Sequence, residues 1–135
     1  MHRRWLLSAV CLALGVVVAV TSGWPVAVVV MLLAVLASPL VFPRSLPAAE
    51  AQRRSAQDGR GIVYWRPGCP FCLRLRLVLG LRGRRLHWVD IWKDPAGAAA
   101  VRAVADGNET VPTVFLNGSA HVNPDPAWLR TAVRA

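Results

Sequence analysis

Charge is missing from the first third of this chain. Between Trp5 and Phe42 there is no Asp, Glu, Lys or Arg, which excludes an ordinary solvated surface for that stretch. Cysteine is scarce too: Cys11, Cys69 and Cys72 are the full set. Three cysteines exclude a disulfide framework, and Cys11, inside an apolar run, reads as an inert small hydrophobe. Acidic residues are few, 7 against 16 basic ones, for a net charge of +9, and 15 of the 16 are arginine. Such an excess points to nucleic acid or to an anionic membrane surface. Arg3, Arg4, Arg44, Arg53, Arg54 and Arg60 flank the uncharged block, and no recognition motif accompanies the charge. The membrane is therefore the expected partner, and nucleic acid is not. In 135 residues of mean hydropathy +0.41, roughly 75 remain for a soluble domain, a small size that still folds alone.

The uncharged block divides into two apolar runs, residues 5–20 and 26–42, around the turn-prone TSGWP. A bilayer span takes about 20 apolar residues, with about 17 as the lower limit. Residues 1–43 are expected to form two transmembrane helices in a hairpin, with lipid contacted by residues 5–42 and Trp5 and Trp24 at the interfaces. The loop has no basic residue and both flanks do, which predicts an inner (plasma) membrane protein, multi-pass, with the N-terminus and the C-terminal domain cytoplasmic. The alternative is a cleaved signal peptide; the second run would then still halt transfer. Residues 44–60 are polar and read as a juxtamembrane linker, with room for a short helix over AAEAQRRSAQ.

From Gly61 the pattern becomes that of a folded domain, residues 61–135. GIVYW is β-prone and stops at Arg66-Pro67-Gly68. PFCLRLRLVLGL partly alternates like a strand, but Pro70 suits a first helical position, and either Phe71, Leu75, Val78 or Cys72, Leu75, Leu79 makes an apolar helix face. RLHWVDIW predicts a second strand, apolar on both faces. Asp94 then caps a helix over AGAAAVRAVAD. VPTVFLN predicts a third strand, Asn117-Gly118 a hairpin turn, AHV a fourth strand, and PDPAWLRTAVRA a last helix. The order β-α-β-α-β-β-α is that of the thioredoxin-like α/β fold.

The chemistry sits in WRPGCPFC. One cysteine pair is half a zinc site, and His2, His87 and His121 do not complete it. As a structural disulfide the pair would close a loop too short to constrain the chain. The redox reading explains more. Cys69 falls at the start of a helix, whose free N–H groups and dipole favour a thiolate, and Arg66 adds a fixed positive charge upstream. The thiolate is the nucleophile. Cys72 lies one turn further in, positioned to resolve. Thr110-Val111-Pro112 opens the third strand; its proline is either a plain strand starter or a cis proline whose neighbour offers its backbone to a peptide-like ligand. Trp65 is read equally as a core aromatic or a groove lining.

Together, VYWRPGCPFC, VDIWKDP and TVPTVFLNG resemble the glutaredoxin family over nearly all of residues 61–134. The resemblance implies a thiol–disulfide oxidoreductase in which Cys69 attacks mixed disulfides between substrate proteins and a low-molecular-weight thiol, and Cys72 or a second thiol clears it. It implies that Arg66, Thr110, Val111 and Pro112 hold that thiol. Near the end the chain departs from the glutathione-using pattern of paired glycines and an acidic cap. GNETVPTVF followed by VNP is more similar to mycoredoxins, which use mycothiol, so mycothiol rather than glutathione is the expected cofactor, with no metal, in a monomer. Two alternatives stay open: a dithiol, thioredoxin-like reductase needing both Cys69 and Cys72, and an iron–sulfur or metal-binding module sharing Cys69 between subunits.

Overall fold

The computed structural model describes residues 44–133 throughout and, before them, residues 10, 13, 14, 16, 17, 21 and 24–36. Two compact units divide the chain, Met1–Arg44 and Ser45–Ala135.

In the first unit, helix α1 spans Trp24–Leu36. Thr21 is also helical and its hydroxyl donates to the Val17 carbonyl, while Pro25 is the second residue of α1. The expected TSGWP turn therefore has only Ser22 and Gly23 outside described helix. Among the described residues no helix is long and apolar enough to cross a membrane. The 13 residues of α1 extend about 20 Å, short of a hydrocarbon core of about 30 Å. Both expected spans run into residues outside the described set.

The second unit holds α2 (Ala48–Asp58), β1 (Ile62–Trp65), α3 (Pro70–Leu79), a 3-10 segment (Gly80–Arg85), β2 (His87–Asp90), α4 (Pro95–Val104), β3 (Thr113–Leu116), β4 (Ser119–Val122) and α5 (Pro126–Ala132). The sheet runs β2-β1-β3-β4. β1 and β2 are parallel, with Tyr64 beside Val89, and β1–β3 and β3–β4 are antiparallel. Every residue of β1 and β2 is buried, because both sheet faces are covered. Alternation assigns the faces. Tyr64 and Val89 meet α4, where a methyl on Gly97 would lie 2.8 Å from Val89 Cγ1. Trp88, one residue over, meets the other side, where its indole N–H donates to the Gly83 carbonyl and the Arg76 guanidinium lies over its ring.

Three helices begin the same way, with a capping side chain followed by proline. Cys69 accepts from Cys72 N–H, Asp94 from Gly97 N–H, and Asp125 from Trp128 N–H. Proline costs nothing at a first helical position, where no N–H is needed. At the Asn117-Gly118 turn both residues have positive φ, as the hairpin reading requires.

Two expectations need correction. Residues 44–60 hold the short helix expected over AAEAQRRSAQ, here α2, but they are packed on the domain rather than forming a linker outside it. Leu46 N–H donates to the Trp88 carbonyl at the outer edge of β2, the Trp65 indole donates to Ser45, and Asp58 meets the imidazole of the buried His87. The start of α2 lacks a side-chain cap of its own, and Asp94, already capping α4, accepts from Ala48 N–H at 2.6 Å. Of the two apolar faces expected on α3, the buried one is Cys72, Leu75 and Leu79, and Phe71 is exposed. The second strand stops at Asp90, since Trp92 N–H and Lys93 N–H turn back onto Asp90.

Candidate active site

β1 delivers the chain to the Arg66-Pro67-Gly68 loop, and Gly68 takes a positive φ of 79° to swing it into α3. Cys69 is the N-cap and half-buried; Cys72, one turn on, is only 4% exposed. Both are free thiols. Cys69 Sγ accepts the Cys72 backbone N–H at 3.3 Å and donates to the Val111 carbonyl at 3.4 Å. Burial, and then the neighbouring Cys69, push the Cys72 thiol up to about 12, although the Arg66 backbone N–H and charge act the other way. The two sulfurs are thus unequal. One reaches solvent; the other stays protonated at neutral pH.

The segment facing Cys69 is Thr110-Val111-Pro112. The Val111–Pro112 bond is cis, both residues are buried, and Thr113 Oγ1 donates to the Thr110 carbonyl at 2.8 Å. Asn123 N–H donates to the Pro112 carbonyl at 2.8 Å and so ties the start of β3 to the end of β4.

Beside Cys69 opens a groove of about 720 Å³. Its lining draws on the loop and helix start around Cys69 (Arg66, Cys69, Phe71), on Trp92, and on the segment before β3 and the end of β4 (Asn108, Glu109, Thr110, Val111, Asn123). The Arg66 guanidinium lies over the Trp92 ring, 5.9 Å from its centroid, and Glu109 is paired with Arg102. Of the residues expected from sequence, Arg66, Cys69, Thr110 and Val111 meet at this groove, with Cys72 beneath and Pro112 buried behind. Trp65 is not part of it: it is buried, with its indole N–H on Ser45.

The sequence marks none of Trp92, Asn108, Glu109 or Asn123 as a lining residue, and it offers Phe71 only as part of a helix face. For Asn108, Glu109 and Asn123 the signal lay in GNET and VNP, already noted as motifs but not as a lining. Trp92 looked like one more strand residue until Asp90 ended the strand. Among the described residues, no group of three or more His, Cys, Asp or Glu side chains could hold a metal ion.

Residues 62–122 match the glutaredoxin family. Mycoredoxin 1 of Corynebacterium glutamicum is 35% identical over 74 residues, covering 54% of this chain and 91% of that protein. The chain belongs to the glutaredoxin family. A putative glutaredoxin of Mycobacterium tuberculosis is 41% identical over 63 residues, 46% of this chain and 75% of the relative. Glutaredoxin-C6 of rice (Oryza sativa subsp. japonica) is 32% identical over 59 residues, 42% of this chain and 53% of that protein. This glutaredoxin is a thiol–disulfide oxidoreductase, and its mixed sheet with helices is consistent with the thioredoxin-like fold. The matched segment begins at β1, so α2 and everything before it lie outside the family match.

Proposed function

We propose that this glutaredoxin reduces mixed disulfides between proteins and mycothiol through Cys69, at the cytoplasmic face of a membrane. The observation that carries the chemistry is the inequality of the thiols: Cys69 open to the groove, Cys72 buried and held protonated.

The Cys69 thiolate attacks the mycothiol sulfur of the mixed disulfide. The Cys69–mycothiol S–S bond forms as the protein–mycothiol S–S bond breaks, and the protein leaves as a thiolate that takes a proton from water. A second mycothiol, as its thiolate, then attacks the mycothiol sulfur on Cys69. Oxidised mycothiol departs and Cys69 returns as thiolate. Mycothiol is the net two-electron donor, and Cys72 need not react. Cys72 can also clear the adduct by forming the Cys69–Cys72 disulfide and releasing mycothiol, but its raised pKa makes that the slower branch. Arg66, Thr110, Val111 and Pro112 hold the thiol: Arg66 through its guanidinium donors, and Val111, set by Pro112, through the backbone carbonyl that in the free enzyme meets Cys69.

Mycothiol is supported by the match to a mycoredoxin over 91% of its length and by the GNETVPTVF and VNP runs. Anchoring through residues 1–43, with the catalytic unit in the cytoplasm, is supported by the uncharged stretch and by the arginines at both its flanks.

The test is turnover of one peptide carried as a mixed disulfide with mycothiol or with glutathione, each with its matching free thiol as reductant. Faster turnover of the mycothiol form is expected; equal or slower turnover sinks the mycothiol assignment. Failure on both forms, with Cys69 shown to be alkylatable, sinks the mixed-disulfide reading.

A further inference from the structure

Trp92 is an odd residue for its place. It follows two buried residues, Asp90 and Ile91, yet its own side chain is 63% exposed. The exposure is built in. Asp90 Oδ1 accepts the Trp92 N–H at 3.1 Å, and the Asp90 carbonyl accepts the Lys93 N–H at 3.1 Å, so the chain turns and puts the indole outside the sheet. There it forms a wall of the groove that holds Cys69, with the Arg66 guanidinium over its ring.

The rest of the groove has a distinct chemistry. With the indole, the groove is lined by Asn108, Asn123 and Thr110, which are neutral and able to donate and accept. Among the described residues lining it, Arg66 is the only cation, and Glu109, already paired with Arg102, is the one acid. A tripeptide thiol with two carboxylates would find one guanidinium and one opposing carboxylate. A neutral ring bearing many hydroxyls would find an apolar aromatic face for its C–H groups and amides for its hydroxyls. Aromatic platforms with a few placed polar groups are the usual way such a pocket fixes orientation.

We infer that Trp92 is a specificity-determining residue of this glutaredoxin, a stacking platform for a hydroxyl-rich ring of the thiol whose sulfur Cys69 attacks. The inference rests on the mycothiol reading and deepens it, since mycothiol carries two such rings and glutathione none. Arg66 fixes the indole from the side nearest the active-site loop.

The experiment uses the full chain in detergent micelles and one peptide in three mixed disulfides: with mycothiol, with glutathione, and with N-acetylcysteine amide, which keeps the acylated, uncharged cysteine of mycothiol and lacks its rings. Trp92→Ala is expected to lower kcat/KM for the mycothiol form about tenfold, through KM with kcat unchanged, as loss of one stacking contact implies. The N-acetylcysteine amide form should be unaffected, and Trp92→Phe should recover most of the loss. An equal loss on the ring-free form makes Trp92 structural and overturns the inference. If the wild type prefers mycothiol and Trp92→Ala keeps that preference, the inference alone falls. If the wild type turns over the glutathione form as well as the mycothiol form, the mycothiol reading and the inference fall together.

Discussion

Cys69 Sγ lies 3.4 Å from the carbonyl oxygen of Val111, 42 residues further along the chain. The contact joins the loop after β1 to the turn before β3, and the pairing of those strands fixes the distance between them. In the thiol form of the free enzyme the Val111 carbonyl accepts from Cys69. Once Cys69 is a thiolate or part of a disulfide it has no proton to give, and the carbonyl is left open.

The first prediction follows from the unequal thiols. Cys69→Ser should reduce mixed-disulfide turnover by at least about a thousandfold, since a hydroxyl cannot replace the thiolate nucleophile. Cys72→Ser should stay within about threefold of wild type, as expected where the second cysteine is not the main resolving group. Steady-state rates on one peptide mixed disulfide check both. Loss of activity in Cys72→Ser would instead establish the dithiol route.

Cys72 also carries a pH dependence. Its folded-state pKa is about 12, above an ordinary thiol near 8.5, so the folded state holds a proton that the unfolded chain releases. Stability from this group is complete below about pH 8.5 and is lost as pH rises toward about 12. Denaturation midpoints of wild type should fall through that window, and those of Cys72→Ala should fall less. Equal slopes would mean that Cys72 titrates like a free thiol.

Asp94 caps two helices with one carboxylate. The Ala48 N–H, then those of Gly97 and Ala96, hold its pKa below the usual carboxylate value. Its contribution is present above the unfolded carboxylate range and is lost as pH falls through the lowered value. Asp94→Ala should destabilise the unit by about 1–3 kcal/mol, a typical cap loss counted up to twice. Asp94→Asn should lose less, since an amide oxygen still caps one helix. Urea unfolding at neutral pH reads both, and an unchanged midpoint in Asp94→Ala would remove Asp94 from both helix starts.

The position of α2 makes a prediction about boundaries. A chain beginning at Gly61 loses Ser45 from Trp65, Leu46 from Trp88 and Asp58 from His87. It should melt at least about 10 °C below one beginning at Arg44, the scale of a few kcal/mol in a domain this small. Equal melting temperatures would return residues 44–60 to the status of a linker.

The elements legible in the sequence are those with local causes. CP and DP pairs mark the starts of α3, α4 and α5, and Asn117-Gly118 marks its hairpin. The position of Cys69 at a helix start was readable because Arg66 and Pro70 beside it are short-range signals, whereas its meeting with Val111 and Pro112 depends on strand pairing far along the chain. α2 was not readable as part of the domain. Its buried residues are only Ala48 and Ala51, too small to leave an apolar stripe, and what holds it comes from Asp94, His87 and Trp88, far along the chain. Trp92 was hidden for a related reason: the turn that exposes it is made by the side chain of Asp90, and an apolar run shows no such turn.

The lead-in to α2 also decides how this sheet can associate. Leu46 takes a carbonyl on the outer edge of β2, so that edge is blunted by the chain itself, while β4 lies at the other end with mostly exposed residues. A sheet with one open edge pairs once and then stops. Edge-to-edge association of this unit is therefore favoured at β4, copy against copy, over addition at β2.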